Sequence, residues 1–553
     1  MADPVRITFL GGLGEIGRNC ACIEVEDRLL LLDCGLMFPD LDMLGIDLVL
    51  PDFSYLRDSA DRIVGCVATH GHEDHIGGLS FLLREMSFPV YGSELTLGLA
   101  RNRIEEAGLL GRTRLNPLAD YERVEIGPFD CEFIPVAHSV PQGFATVIRT
   151  EQGVILHSGD FKLDLTPVDG RTTDLGCLGA ISENEGVRLL LADSTNADAP
   201  GYAASEKSVG RVLYNLMHAH EGRRVITTCF ASHIHRIQQI ADAAVSFGRT
   251  VAPLGISMRK NLRLARDMGA LRIPDHAIAD VEDVSDMEPG RVCVISTGSQ
   301  GEPLSALALL AANENRFLKI TPDDTVIISS HPIPGNEANI GKVIDGLTRL
   351  GADVVHSGTD DVHATGHAKQ EDLKMLHSIV RPDWFVPVHG EYRHLSKHAR
   401  IARLMGTPAD RVIIAEDGDQ LVLDDDGLRI AGRVPAGYLY VDGTVGDVGH
   451  GVLRDRRVLS EEGMVVVVVG VDVATRSIIS GPEIITRGWV FAPEAEGLLE
   501  EATERVRRAV QDAFDHDAVD IETLQRHVRR AAGAFVNERT RRRPMILPVV
   551  LET

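Results

Sequence analysis

Apolar and polar positions along this chain fall into short runs that end, repeatedly, on a histidine or an aspartate. Residues 63–68 form a continuous apolar run, with Val64, Cys66 and Val67, which predicts a buried strand; Gly77-Gly78 ahead of Leu79-Ser80-Phe81-Leu82-Leu83 predicts a turn and then a helix. Between them stands Thr69-His70-Gly71-His72-Glu73-Asp74-His75. Apolar runs at 5–10, 28–32, 131–136, 154–156, 187–191 and 384–388 also read as strands, and lead to Gly11-Gly12, Asp33, His138, His157 with Asp160, Asp193, and His389. Taken singly, such residues more often cap turns. Together they describe one edge of a sheet, at the carboxyl ends of its strands, where open α/β sheets carry their sites.

Between Asp193 and His389 the periods alternate: helix at 209–218, strand at 225–228, helix at 235–245, strand at 291–296, helix at 304–312 and strand at 325–330. That is longer than one returning helix and strand require, and predicts an inserted α/β domain of about 150 residues. After His389, strands at 411–415 and 420–423, joined through Asp417-Gly418-Asp419, predict a hairpin that completes the first domain. Residues 432–451, rich in Gly, Val and Asp without a helical period, read as a linker. A hairpin at 464–471 and 476–479, a helix marked by Leu498, Ala502, Val506 and Val510, a second helix at 521–538 and a strand at 545–551 predict a small C-terminal α/β domain. The class is α/β: a first domain at 1–206 and 359–431, an insertion at 207–358, a linker at 432–451 and a last domain at 452–553.

Composition changes this picture little. A chain of 553 residues exceeds one core, so several domains are expected. With 44% hydrophobic and 25% charged residues it reads as globular, and its longest apolar run, 464–469, has the length of a strand, so no membrane span is expected. The first residues enter a strand directly, which predicts no signal peptide. Eight cysteines without a Cys-x-x-Cys pair predict buried free thiols and a cytoplasmic location. A net charge of −25 argues against coating of nucleic acid by the whole surface, and leaves room for a local basic channel.

The chemistry concentrates at residues 70–75. Imidazoles and carboxylates suit zinc without thiolates, and the spacing lets alternate residues face two ions. Two zinc ions sharing a bridging carboxylate need about seven protein ligands. His70, His72, Asp74, His75, His138, Asp160 and His389 supply that number. Asp33 either caps a turn or orients a metal-bound histidine. The loop Thr297-Gly298-Ser299-Gln300-Gly301-Glu302-Pro303 is either a plain turn or a phosphate cradle at a helix N-terminus. Ser232, His233 and Arg236 are candidates for added contacts, with His233 and His235 reading as surface residues of a helix start.

His70-Gly71-His72-Glu73-Asp74-His75 resembles the His-x-His-x-Asp-His motif of the metallo-β-lactamase superfamily, which implies an αββα sandwich. By that resemblance His70, His72 and His138 hold one zinc and Asp74, His75 and His389 the other, with Asp160 bridging. The insertion resembles the β-CASP domain of the nucleic-acid-processing branch. Asp193 fits its first motif acid, His363-Ala364-Thr365-Gly366-His367-Ala368 its middle motif and His389 its last motif histidine. With Gly11 to Asn19, His138-Ser139-Val140-Pro141, Ser257-Met258, the 297–303 loop, His331-Pro332-Ile333-Pro334-Gly335-Asn336-Glu337 and Pro387-Val388-His389-Gly390-Glu391, essentially the whole chain resembles the bacterial ribonuclease J family. Gln142, where an acid is more usual, and Thr365, where Ser is usual, depart from its pattern.

The resemblance implies a zinc-dependent ribonuclease with two zinc ions per subunit, manganese or magnesium being alternatives in turnover. It implies cutting of single-stranded RNA from a 5′-monophosphate end, 5′ to 3′, and also internally. Gly298, Ser299, His363, Ala364, Thr365, Gly366 and His367 would form the phosphate pocket. His367, oriented by Asp193, would donate the proton to the leaving oxygen, and Asp74 would take one from water. A homodimer or homotetramer is implied, with an RNA helicase or another nuclease as partner and no membrane. The arginines Arg529, Arg530, Arg539, Arg541, Arg542 and Arg543 read as a solvated face, with RNA-backbone contact as the alternative. The rival readings are a related hydrolase acting on DNA or on a small ester or thioester, and a non-catalytic RNA-binding scaffold.

Overall fold

The computed structural model describes residues 3–552 apart from 41, 334–335, 444, 447, 491–495 and 517–519; Pro334-Gly335 of the 331–337 motif therefore lies outside the described residues. The chain divides into two units, one running to Phe38 and over Val49–Tyr438, the other Pro39–Leu48 with 439–553.

The larger unit is built on two stacked sheets. One follows the spatial order Gly427–Arg433, Asp419–Asp424, Val5–Gly11, Cys20–Val25, Arg28–Leu32, Ile63–Val67, Val90–Ser93, Leu115–Leu118. The other follows Trp384–Val388, Val187–Asp193, Gly153–His157, Gly143–Thr150, Phe129–Val136, Arg123–Ile126. Side-chain alternation decides what each face meets. Phe133, Ile155, Leu189 and Val386 join Ile7, Ile23, Leu30 and Val67 of the first sheet in one buried cluster. Their neighbours Ile134, Leu156, Leu190 and Phe385 point the other way, onto Leu178, Leu373, Leu376 and Ala399 of helices Leu175–Asn184, Gln370–Val380 and Tyr392–Leu404. Helix Glu94–Glu106 lies against Val90–Ser93. The layers are helix, sheet, sheet, helix, as expected.

The insertion has its own all-parallel sheet, in the order Thr250–Leu254, Val292–Ser296, Arg224–Thr228, Asp324–Ile328, Asp353–His356. Val292–Ser296 is buried at every position, as a parallel strand covered on both faces must be. Helix Glu206–Ala219 starts where the Ser205 hydroxyl accepts from Lys207 N, and buries Val209, Leu213 and Met217 on one stripe.

In the smaller unit, Met464–Asp472 pairs antiparallel with Ser477–Arg487 and parallel with Met545–Glu552. Val465, Val467 and Val469 pack on Val506, Val510, Leu524 and Val528 of helices Glu496–Asp515 and Ile521–Thr540. Among the described residues, no helix is long and apolar enough to cross a membrane.

The connecting region differs from its sequence reading. Residues 411–415 form no strand: Val412 makes a single bridge to Phe385, and the segment buries Val412 and Ala415 without a ladder. The hairpin is Asp419–Asp424 with Gly427–Arg433, turning at Asp425-Asp426 rather than at Asp417-Gly418-Asp419. Much of the expected linker is regular structure: 432–433 end that hairpin, Tyr438–Asp442 is a strand, and Gly449–Glu462 is a helix that starts inside it. Its glycine content masked these elements, because pairing and packing override local propensity.

Candidate metal centre

Parallel pairing sets strand ends at one level: Leu32 opposite Val67, His157 opposite Leu191, and Asp193 opposite Val388. The residues that follow these strands therefore emerge on one edge. After Val67 the chain turns into the short helix Glu73–Ile76, against the 33–35 turn. Gly35 is required there, since a Cβ on it would stand 1.6 Å from Asp74 O. Asn19 donates to Asp74 O from its backbone N–H at 3.0 Å and from Nδ2 at 3.1 Å. The glycine-rich 11–19 loop thus clamps the motif; its sequence signal pointed to close backbone approach but not to Asn19.

Three sets of ligand-capable atoms meet at Asp160, the third formed with Asp193, His367 and His389. In the first, His70 Nε2 and His138 Nε2 lie 3.0 and 3.1 Å from His72 Nδ1, and 3.6 and 3.9 Å from Asp160 Oδ2. In the second, His75 Nε2 is 3.5 Å from Asp74 Oδ2 and 3.2 Å from Asp160 Oδ2, and His389 Nε2 is 3.4 Å from Asp74 Oδ2. The atoms of each set lie within 4.8 Å of one another. Asp160 Oδ2 and His389 Nε2 are buried without a hydrogen-bond partner, a state that costs free energy unless a cation satisfies them. Imidazole nitrogens converging on one point likewise call for positive charge between them. Five imidazoles and two carboxylates, with no thiolate, are a fitting donor set for a pair of divalent cations.

Outer contacts fix which nitrogen each ring presents. His75 Nδ1 is 2.7 Å from Asp33 Oδ2, and Asp33 also accepts from Thr69 N at 2.7 Å and Thr69 Oγ1 at 2.9 Å. Asp33 therefore orients a histidine of the cluster, the second of its two sequence readings. His138 Nδ1 donates to Gly366 O at 2.8 Å, and His389 Nδ1 is 2.8 Å from Asp160 Oδ1. Asp33 and His389 hold left-handed φ values of 60° and 53°, a conformation uncommon for these residues and concentrated at functional sites.

Burial pushes His70 and His138 well below the usual imidazole range and His72 down to about 4, which keeps them in the neutral, ligating form. At His75 and His389 burial also acts downward, but Asp160 and Asp74 outweigh it, raising His75 well above its ordinary value and His389 to about 10. The carboxylates at this end demand positive charge.

Beside the centre, His367 Nδ1 is 2.8 Å from Asp193 Oδ2, while Asp193 Oδ1 accepts from Thr195 N and Oγ1 at 2.9 and 2.7 Å. Burial lowers the His367 pKa; the Asp193 charge and hydrogen bond overcome it and leave the imidazole above its ordinary value. Thr365 Oγ1 accepts from Asn196 Nδ2 at 2.6 Å, Ala364 is buried, and a Cβ on Gly366 would stand 2.7 Å from the His138 ring. Gly298 and Ser299 sit on a separate loop. Ser330 Oγ donates to Ser299 O at 3.0 Å, the neighbouring Gln300 donates to His331 O at 2.9 Å, and the His331 ring lies near parallel to His363 at 6.3 Å. Gln142, the departure noted above, accepts from Leu95 N at 3.1 Å. His233 and His235 are not surface residues: they are 2% and 8% exposed, drawn inward beside Arg236, which is wholly buried. A helix start with two histidines and an arginine reads as polar surface; only the fold reveals the buried acid Glu206 beside Arg236 and His233, and Asp169 beside His235.

Family models match four stretches of the chain. Residues 13–192 match the metallo-beta-lactamase superfamily, 222–347 the ribonuclease J beta-CASP domain, 353–412 the Zn-dependent metallo-hydrolase RNA specificity domain, and 451–553 the ribonuclease J C-terminal domain. Ribonuclease J 1 of Streptococcus pyogenes is 40% identical across 99% of this chain and 98% of its own length. The chain belongs to the ribonuclease J family. Within it, ribonuclease J2 of Bacillus subtilis is 41% identical over 100% of this chain and 99% of its own, and ribonuclease J of Thermus thermophilus 41% identical over 100% and 96%. A crystal structure of a protein of unknown function from Enterococcus faecalis shares the fold alone, with a TM-score of 0.54 at 15% identity, covering 76% of this chain and 100% of that one.

Proposed function

We propose that this chain is a dinuclear zinc ribonuclease of RNA maturation and decay. It cuts single-stranded RNA 5′ to 3′ with a preference for 5′-monophosphate ends, and also cuts internally. The observation that carries the reading is Asp160 Oδ2, shared by two histidine-rich sets, with the His367–Asp193 pair beside it. His70, His72 and His138 would hold one ion, Asp74, His75 and His389 the other, and Asp160 would serve both. When bound, the two ions activate the attacking water and neutralise charge on the phosphoryl oxygens. Asp74, whose Oδ2 faces His75 and His389, takes a proton from that water. His367 has Nδ1 engaged by Asp193, so Nε2 presents a proton to the leaving 3′ oxygen. Gly298, Ser299, His363, Ala364, Thr365, Gly366 and His367 hold the terminal phosphate.

We assign the catalytic domain to 1–206 and 359–431, the β-CASP insertion to 207–358 and the C-terminal domain to 452–553, which serves dimer or tetramer assembly. Free cysteines, all but Cys177 buried, support a cytoplasmic enzyme, with an RNA helicase or another nuclease as partner. One internally labelled RNA, prepared with 5′-monophosphate, 5′-triphosphate and 5′-hydroxyl ends, tests this. Mononucleotides released fastest from the monophosphate RNA, and absent with His72→Ala, are expected. Identical internal fragments from all three ends would refute the end pocket, and no cleavage at all would return the protein to small-ester substrates.

A further inference from the structure

Arg236 lies outside the metal centre, yet it is wholly buried and each of its three guanidinium nitrogens has a hydrogen-bond partner. Nη1 donates to Val362 O at 2.8 Å, Ser329 Oγ at 2.5 Å and Ser329 O at 3.2 Å. Nη2 donates to Glu206 Oε2 at 2.7 Å, and Nε to Gln239 Oε1 at 3.2 Å. Val362 O is the last carbonyl before residues 363–367, and Ser329 Oγ donates to it as well, at 2.6 Å. Glu206 in turn lies 3.5 Å from the buried Lys162 Nζ. Lys162 stands two residues beyond Asp160, and its backbone N–H donates to Ala137 O at 2.8 Å, beside His138. A buried chain of polar contacts therefore runs from the strand end bearing Asp160, through Lys162, Glu206 and Arg236, to the start of the 363–367 segment. At its far end that segment meets the centre again, through Gly366 O on His138 and His367 on Asp193. Buried ion pairs are often matched in stability by apolar side chains of similar volume. What a planar fork adds is a fixed orientation: Nη2 and Nε are held by Glu206 and Gln239, and this aims Nη1 at the Val362 and Ser329 carbonyls.

We propose that Arg236 is a positioning residue for the reaction: its guanidinium sets where residues 363–367 stand against the metal edge, and through them the reach of His367 to the leaving oxygen. The proposal rests on the reading of His367 as proton donor. The leaving group separates positioning from stability. A ribose 3′ oxygen needs a proton as it departs; p-nitrophenolate does not. Arg236→Lys keeps the charge beside Glu206 and loses the fork. With zinc-loaded full-length protein, it is expected to lose about tenfold or more in turnover of RNA, as small misplacements of reacting groups do. Hydrolysis of bis(p-nitrophenyl) phosphate and zinc content by mass spectrometry, both read below the melting temperature of each variant, should stay near wild type. Arg236→Met combined with Glu206→Gln, which removes both charges of the pair and leaves Lys162 with Asp164, should show the same split. Equal losses on both substrates, or loss of zinc, would mean a merely structural role and overturn the proposal. His367→Ala is the reference. If it shows the split and neither Arg236 variant does, only the Arg236 proposal fails; if it loses both substrates equally, the proton-donor reading fails and the proposal with it.

Discussion

Asp33 shows how much of the centre depends on single contacts one step removed from it. Its carboxylate holds the His75 ring by Nδ1 and the Thr69 backbone at once, so both the tautomer and the loop follow from one side chain. Asp33→Ala is expected to weaken binding of the ion at His75 by about 10- to 100-fold, measured by zinc titration against a competing chelator; unchanged affinity would show that Asp33 only caps its turn. A second residue sets a pH dependence. Burial, then the Glu15 charge, raise Asp417 to about 7 although Arg18 Nη2 donates to it at 2.7 Å. The folded chain therefore holds that proton more tightly than the unfolded chain, whose carboxyl titrates near about 4. The resulting stability is present in acid and is lost as pH rises across the interval from there to about 7, at up to about 1.4 kcal/mol per pH unit. Asp417→Asn, which keeps an acceptor for Leu13 N, should flatten this limb in a series of thermal melts; an unchanged slope would assign it to other groups.

At the scale of elements, the site is made by strand ends and the turns that follow them. Gly35→Ala puts a methyl group into the Asp74 carbonyl, so the 73–76 helix must shift. The expected result is loss of zinc from the Asp74 side with the two-sheet core retained, read as lowered metal content beside a native far-ultraviolet circular dichroism spectrum. Full metal content in that variant would show that the loop accommodates the group elsewhere. The strands were legible because apolar runs and period-2 alternation directly encode burial. The His-x-His-x-Asp-His segment was legible because four candidate ligands are adjacent in sequence. Residues 411–415 misled because an apolar run can be buried without pairing, and 432–451 misled because glycine content says nothing about a partner strand supplied from elsewhere.

Over the whole molecule, what the sequence could not display are contacts between residues far apart in the chain. Asn19 on Asp74 and Arg236 on Val362 have no local signature, since each depends on which strands become neighbours. The proposed ligands come from four separate stretches, at residues 70–75, 138, 160 and 389, and a single carboxylate oxygen, Asp160 Oδ2, joins the two sets. That sharing is the central claim, and zinc stoichiometry of the purified full-length protein tests it most directly. The wild type should hold two ions per chain, His138→Ala about one, and Asp160→Asn close to none, because Asp160 serves both sets. Retention of two ions by Asp160→Asn would contradict the shared carboxylate, and with it the dinuclear centre on which the proposed ribonuclease chemistry depends.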